Sequence, residues 1–167
     1  MDFDRAFTAL IGNEGVFDDS PKDRGNWTSG KVDVGALKGT KYGISAMTYP
    51  QVDIKNLTLE NAKLIYYRDF WQPAHCDELP NAIRFDVFDM AVNSGIRAAI
   101  KTLQKAIGAT PDGIMGDKSR ALLAAYDEEK LDKRLSAQRL LFMCDIGTFP
   151  TFGKGWVRRI ANNMLLD

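Results

Sequence analysis

Phe3, Phe7, Leu10 and Ile11 recur at intervals of three and four, the spacing that places side chains on one face of a helix. Residues 3–14 therefore read as an amphipathic helix that ends near Gly15. The pattern then fails. From Val16 to Gly39 the chain is crowded with Asp, Gly, Ser and Pro, and it reads as a long irregular loop or a short hairpin. Trp27, Val32, Val34 and Leu37 within it argue for order, because disordered segments spend few such residues. Helical spacing returns after an N-cap at Thr58, through Ala62, Ile65, Tyr66 and Trp71. Pro80 suits the first turn of the next helix, which carries Ile83, Val87, Met90 and Ala91 and stops at Gly95. Ile96, Ile100, Leu103 and Ile107 form another stripe, closed by Gly108. Asp117 is the expected N-cap of a short helix over Ala121, Leu122 and Ala125. A long helix from Glu128 to Cys144 follows, and Trp156, Ile160 and Met164 mark the last. The expected fold is mostly α, with about seven helices, one irregular loop near the N-terminus and no internal repeat.

Composition narrows the function classes. A chain of 167 residues is long enough to bury a core without disulfides or a structural metal. With 22 basic and 22 acidic side chains, global charge gives no reason to expect nucleic acid or an anionic membrane as partner. No stretch approaches the roughly 18 apolar residues of a membrane span, so stable membrane insertion is not expected. The first residues carry acids where a secretory leader carries bases, which predicts no signal peptide and synthesis in a reducing cytoplasm. Cys76 and Cys144, far apart and in no paired motif, read as buried reduced thiols rather than a disulfide. A single histidine, His75, disfavours a metal-dependent hydrolase, and no Gly-x-Ser-x-Gly elbow supports a serine nucleophile. No cofactor and no metal is expected.

Glu14 extends the first apolar stripe, four residues past Leu10 and seven past Phe7. A carboxyl on a buried helix face is desolvated, which raises its pKa and keeps a proton available near neutral pH. A general acid for glycosidic bonds needs that property. The other reading of the same residue is a surface Glu at a frayed helix end. Nine residues on, Asp23 sits in a loop with Asp18, Asp19, Gly25 and Thr28, a hydrated setting that suits the second group of glycan hydrolysis. Trp27, Tyr42 and Tyr49 offer flat faces for sugar rings, and Thr40 and Ser45 offer hydroxyls to position a water. Each aromatic taken singly is more often core than sugar platform.

The string Leu10-Ile11-Gly12-Asn13-Glu14-Gly15, then Pro21-Lys22-Asp23-Arg24-Gly25, then Thr40-Lys41-Tyr42-Gly43-Ile44-Ser45 closely resembles the glycoside hydrolase family 108 endolysins. Those are phage lysozyme-like N-acetylmuramidases. The resemblance implies a lysozyme-like helical fold, bacterial peptidoglycan as substrate and Glu14 as catalytic acid. Val16 stands where many members carry a second Gly. Asp23 matches the family Asp by spacing. For the family Thr, Thr28 keeps the shorter spacing, whereas Thr40 keeps the motif once an insertion is allowed. Thr40 is the preferred assignment.

Asp89-Met90-Ala91-Val92-Asn93-Ser94-Gly95 also resembles this family, which implies that Asn93 bonds a substrate acetamide or the attacking water. The same residues read as a plain helix stop. Leu103-Gln104, followed by Asp112-Gly113-Ile114-Met115-Gly116, resembles peptidoglycan-binding modules and marks Asp112 as a wall-binding residue. Its local reading is a turn that needs glycine. The division implied is a lysozyme-like catalytic region over residues 1–92 and a helical peptidoglycan-binding-like region over residues 93–167, packed as one globular unit. Lys154, Trp156, Arg158 and Arg159 form a basic aromatic patch, read as a solvated helix face or as a contact for anionic lipid or wall polymer. The whole implies a monomeric endolysin made in the host cytoplasm and released, with a holin, to the wall or periplasm. A lytic transglycosylase and a non-catalytic wall-binding module are the competing readings.

Overall fold

The computed structural model of the chain describes residues 1–12 and 17–166. Among these, seven α-helices and one two-stranded antiparallel sheet are present, the mostly helical architecture that the hydrophobic periodicity predicts. The chain forms two compact units: Met1–Ala6 with Arg68–Asp167, and Phe7–Tyr67.

Helix α1 covers Phe3–Ile11. Gly12 follows with φ of 55°, a left-handed conformation that stops a helix, and its N–H still bonds the Thr8 carbonyl at 3.0 Å. Ala6 and Phe7 are buried as the stripe requires. The expected final turn, including Asn13 and Glu14, lies outside the described residues.

In the unit Phe7–Tyr67, helix α2 (Leu59–Tyr66) starts where expected: the Thr58 side chain accepts from the Asn61 N–H at 3.2 Å. Its buried face carries Ala62, Ile65 and Tyr66, and the Tyr66 ring meets Phe7 edge-on at 5.5 Å between centroids. The expected helix through Trp71 does not stay α-helical, because Tyr67–Trp71 widens into a π turn.

The larger unit is a helical bundle around α3 (Asn81–Ser94). Every residue from Phe85 to Ala91 is buried, so this helix packs on all sides rather than along one stripe. Around it lie α4 (Ile96–Ile107), α5 (Asp117–Ala124), α6 (Glu128–Cys144) and α7 (Phe149–Asn163). Gly95, with φ of 89°, breaks α3 from α4, and Gly108 closes α4 in the left-handed region. Asp127 caps α6 by accepting from the Lys130 N–H at 2.9 Å. Gly116, not Asp117, caps α5; Asp117 opens the helix, where its charge favours the positive helix end. Phe3, Trp71 and Phe88 form an edge-to-face aromatic cluster with centroids 5.2–5.9 Å apart. Cys76 is buried as expected, whereas Cys144 is exposed. Among the described residues, no helix is long and apolar enough to cross a membrane.

Two acids inside α3 need an account that periodicity does not supply. Asp86 and Asp89 are buried, at 5% and 1% exposure, and a buried carboxylate is costly unless paired. Arg139 of α6, itself buried, bonds both; Arg159 and Asn163 of α7 add bonds to Asp89 at 2.7 and 3.0 Å. Burial and the neighbouring Arg159 hold the Arg139 guanidinium down to about 10. This charge cluster ties α3, α6 and α7 together.

Candidate active site

The Thr40-to-Ser45 motif folds as a minimal hairpin. Strands β1 (Thr40–Lys41) and β2 (Ile44–Ser45) pair Thr40 with Ser45 and Lys41 with Ile44. Tyr42 and Gly43 make the two-residue turn with φ of 51° and 73°, the positive values that the twist of a tight hairpin favours. Gly43 has a second reason to lack a side chain: an added Cβ would overlap the Tyr66 hydroxyl, which donates to the Tyr42 carbonyl at 3.1 Å. The Tyr-Gly pair therefore fixes the hairpin onto α2. Tyr42 is half-buried, with the Lys41 ammonium 5.4 Å from its ring centroid.

Thr40 is held at backbone and side chain alike. Asp18 and Thr40 exchange backbone hydrogen bonds of 2.9 and 2.8 Å. Gly39, with φ of 85°, lets the strands close, since a Cβ there would strike the Asp18 carbonyl and the Phe17 ring. The Thr40 hydroxyl donates to Asn26 Oδ1 at 2.7 Å. Asn26 is fully buried, and its amide donates to Asp18 Oδ2 at 3.0 Å and to the Ser20 carbonyl at 3.1 Å. Asp18, Asn26 and Thr40 thus form one closed network. Periodicity and motif spacing did not single out Asn26; only its fold-dependent burial between two loop segments reveals it.

The other loop residues divide by what they bond. Asp23 is exposed and caps the short 3-10 turn Arg24–Asn26, its Oδ1 accepting from the Gly25 N–H at 2.8 Å. Trp27 is half-buried, bridged to Leu37, with its indole N–H on the Pro21 carbonyl at 2.9 Å. The Thr28 hydroxyl accepts from the Ala36 N–H at 3.0 Å, inside its own loop. Ser45 closes the next turn through Thr48 at 3.1 Å, and Tyr49 is half-buried beyond it. Glu14 lies outside the described residues.

Asn93 and Asp112 belong to the other compact unit. Asn93 is exposed near the end of α3, where its amide donates to the Asp89 carbonyl at 2.7 Å. It borders a cavity of about 390 Å3 lined by Asp89, Arg139, Trp156, Arg159 and Ile160 among others. Asp112 sits on a turn organised by Gln104. That fully buried amide donates to Asp112 Oδ1 at 2.7 Å and to the Ile114 carbonyl at 3.0 Å, and accepts from the Gly113 N–H at 2.8 Å. The Gln and Asp-Gly parts of that motif are one hydrogen-bonded clamp. His75 bonds Glu78 at 2.9 Å, and Arg120 pairs Glu78 at 2.6 Å. Arg120 first and His75 second hold the Glu78 carboxyl down at about 2.

The profile of the family described as Glycosyl hydrolase 108 matches residues 7–95. Among solved structures, the chain is similar to that of Brucella abortus SagA, with 30% identity over 98% of this chain and 91% of that chain, and a TM-score of 0.79. No curated protein matches.

Proposed function

Because this chain belongs to the glycosyl hydrolase 108 family and is thus a lysozyme-like glycoside hydrolase of peptidoglycan, we propose that it hydrolyses the β-1,4 bond between N-acetylmuramic acid and N-acetylglucosamine. The observation that carries the reading is the family match over residues 7–95, which spans Glu14-Gly15, Pro21 to Gly25 and Thr40 to Ile44 in one stretch.

In this reading Glu14 is the general acid. Its carboxyl proton passes to the glycosidic oxygen as the bond from that oxygen to the sugar C1 breaks, leaving oxocarbenium character on the ring. A water attacks C1 from the opposite face, and its proton goes to a carboxylate. Asp23 is the candidate, because it is exposed on the loop and keeps the family spacing from Glu14. Thr40 holds the water. Its bond to a buried amide, which fixes the direction of its proton, supports this role over Thr28, whose hydroxyl accepts from its own loop backbone. Trp27, Tyr42 and Tyr49 are candidate sugar platforms, Ser45 supports the hairpin that carries Thr40, and Asn93 and Asp112 are candidate wall contacts. The protein acts as a phage-type endolysin, monomeric, made in the host cytoplasm and delivered to the wall with a holin; the sequence resemblance supports these last assignments.

Mass spectrometry of borohydride-reduced digests of purified peptidoglycan tests the bond. Muramidase action gives fragments ending in reduced muramic acid. Reduced glucosamine ends would assign the neighbouring bond instead, and anhydromuramic ends would assign transglycosylation.

A further inference from the structure

We infer that Asn26 is a positioning residue for the reaction: by taking the only proton of the Thr40 hydroxyl, it makes Thr40 a pure acceptor, so that the attacking water must point a hydrogen at Thr40 and turn a lone pair to the sugar carbon. This rests on the reading of Thr40 as the holder of that water.

The orientation of the Asn26 amide is dictated by its neighbours. Asp18 Oδ2 at 3.0 Å and the Ser20 carbonyl at 3.1 Å can only accept, so the amide NH2 must face them and Oδ1 must face Thr40. The residue cannot turn, because it is 0% exposed and its backbone carbonyl accepts from both Lys38 N–H at 2.9 Å and Gly39 N–H at 3.1 Å. A threonine hydroxyl has one proton and two lone pairs. At 2.7 Å from Oδ1 that proton is committed, and the lone pairs remain. Thr40 itself cannot shift, since its N–H and C=O are both paired with Asp18. A water that meets Thr40 therefore donates to it. With its other proton turned to a carboxylate, the oxygen lone pair is left for C1. A free hydroxyl would instead sample orientations in which it donates to the water and occupies the attacking lone pair.

The test is a kinetic cycle on peptidoglycan, with melting curves on every variant. Asn26→Ala and Thr40→Val each lower kcat, by about tenfold to a hundredfold, with little change in KM. The double variant is no slower than Thr40→Val alone, because Asn26 acts through the hydroxyl that valine lacks. Losses that multiply in the double variant, or a loss carried by KM, overturn the inference. If Asn26→Ala does not fold, Thr40→Ser keeps a hydroxyl for the Asn26 oxygen and leaves the bonds of Asn26 to Asp18 and Ser20 untouched. That chain should retain kcat at least about tenfold above Thr40→Val; a rate equal to that of Thr40→Val overturns the inference equally. A wild-type chain that releases no fragments sinks the glycosidase reading itself. An active wild type with a fully active Thr40→Val rejects only the roles given to Thr40 and Asn26.

Discussion

Replacing Gly43 by alanine isolates the contact that fixes the Thr40 hairpin on α2. At φ of 73° an alanine pays the left-handed penalty of about 1–2 kcal/mol. The new Cβ also overlaps the Tyr66 hydroxyl, a buried group whose 3.1 Å bond to the Tyr42 carbonyl must lengthen or break. Losing that bond costs a further 0.5–1.5 kcal/mol or about that. The sum is about 1.5–3.5 kcal/mol, which for a chain of this size lowers the melting temperature by about 3–14 °C. Repeating the substitution in a Tyr66→Phe background separates the two causes. Phenylalanine removes the hydroxyl, so only the backbone part, about 1–2 kcal/mol, should remain. Urea unfolding of the four chains gives the cycle. Equal costs in both backgrounds would refute the packing argument and leave conformational strain as the whole effect.

Other perturbations probe different elements. Arg139→Met leaves Asp86 and Asp89 buried without their main partner and should cost about 3–5 kcal/mol in urea unfolding; a loss under about 1 kcal/mol would contradict the role of that cluster. Glu78→Gln should change stability in a pH-dependent way. Its folded carboxyl is depressed to about 2 by Arg120 and His75, so its stabilisation is present above the ordinary carboxylate range and fades as pH falls toward about 2. The groups are near the surface, so the gap to wild type at pH 6 should stay under about 1 kcal/mol and close in acid; a gap that grows in acid would reverse the sign.

The helices were legible because each owes its existence to a local signal. Thr58, Gly95 and Gly108 act where their chemistry places them, and the helix Glu128–Cys144 has the bounds expected of it. The α3 core was only half legible. Ile83, Val87 and Met90 mark it, but Asp86 and Asp89 are buried only because Arg139, some fifty residues on, reaches them. Sequence spacing carries no trace of such a pairing. At the candidate site the Thr-x-Tyr-Gly-Ile motif pointed to Thr40, and the turn geometry explains the Tyr-Gly within it. Asn26 was illegible for a related reason. An asparagine between glycine and tryptophan looks like loop filler until the fold brings Asp18 and Thr40 to either side of it. Ser45 and Asp112 illustrate the opposite case, since both polar side chains do structural work in turns that composition alone could equally assign to substrate.

Glu14→Gln tests the central claim most directly. Glutamine keeps the size of the side chain but carries no transferable proton, so the variant should melt as wild type does while reducing ends released from peptidoglycan fall by at least about a hundredfold, within the range that general acid catalysis contributes. A folded Glu14→Gln chain that still cleaves peptidoglycan at the wild-type rate would contradict the account.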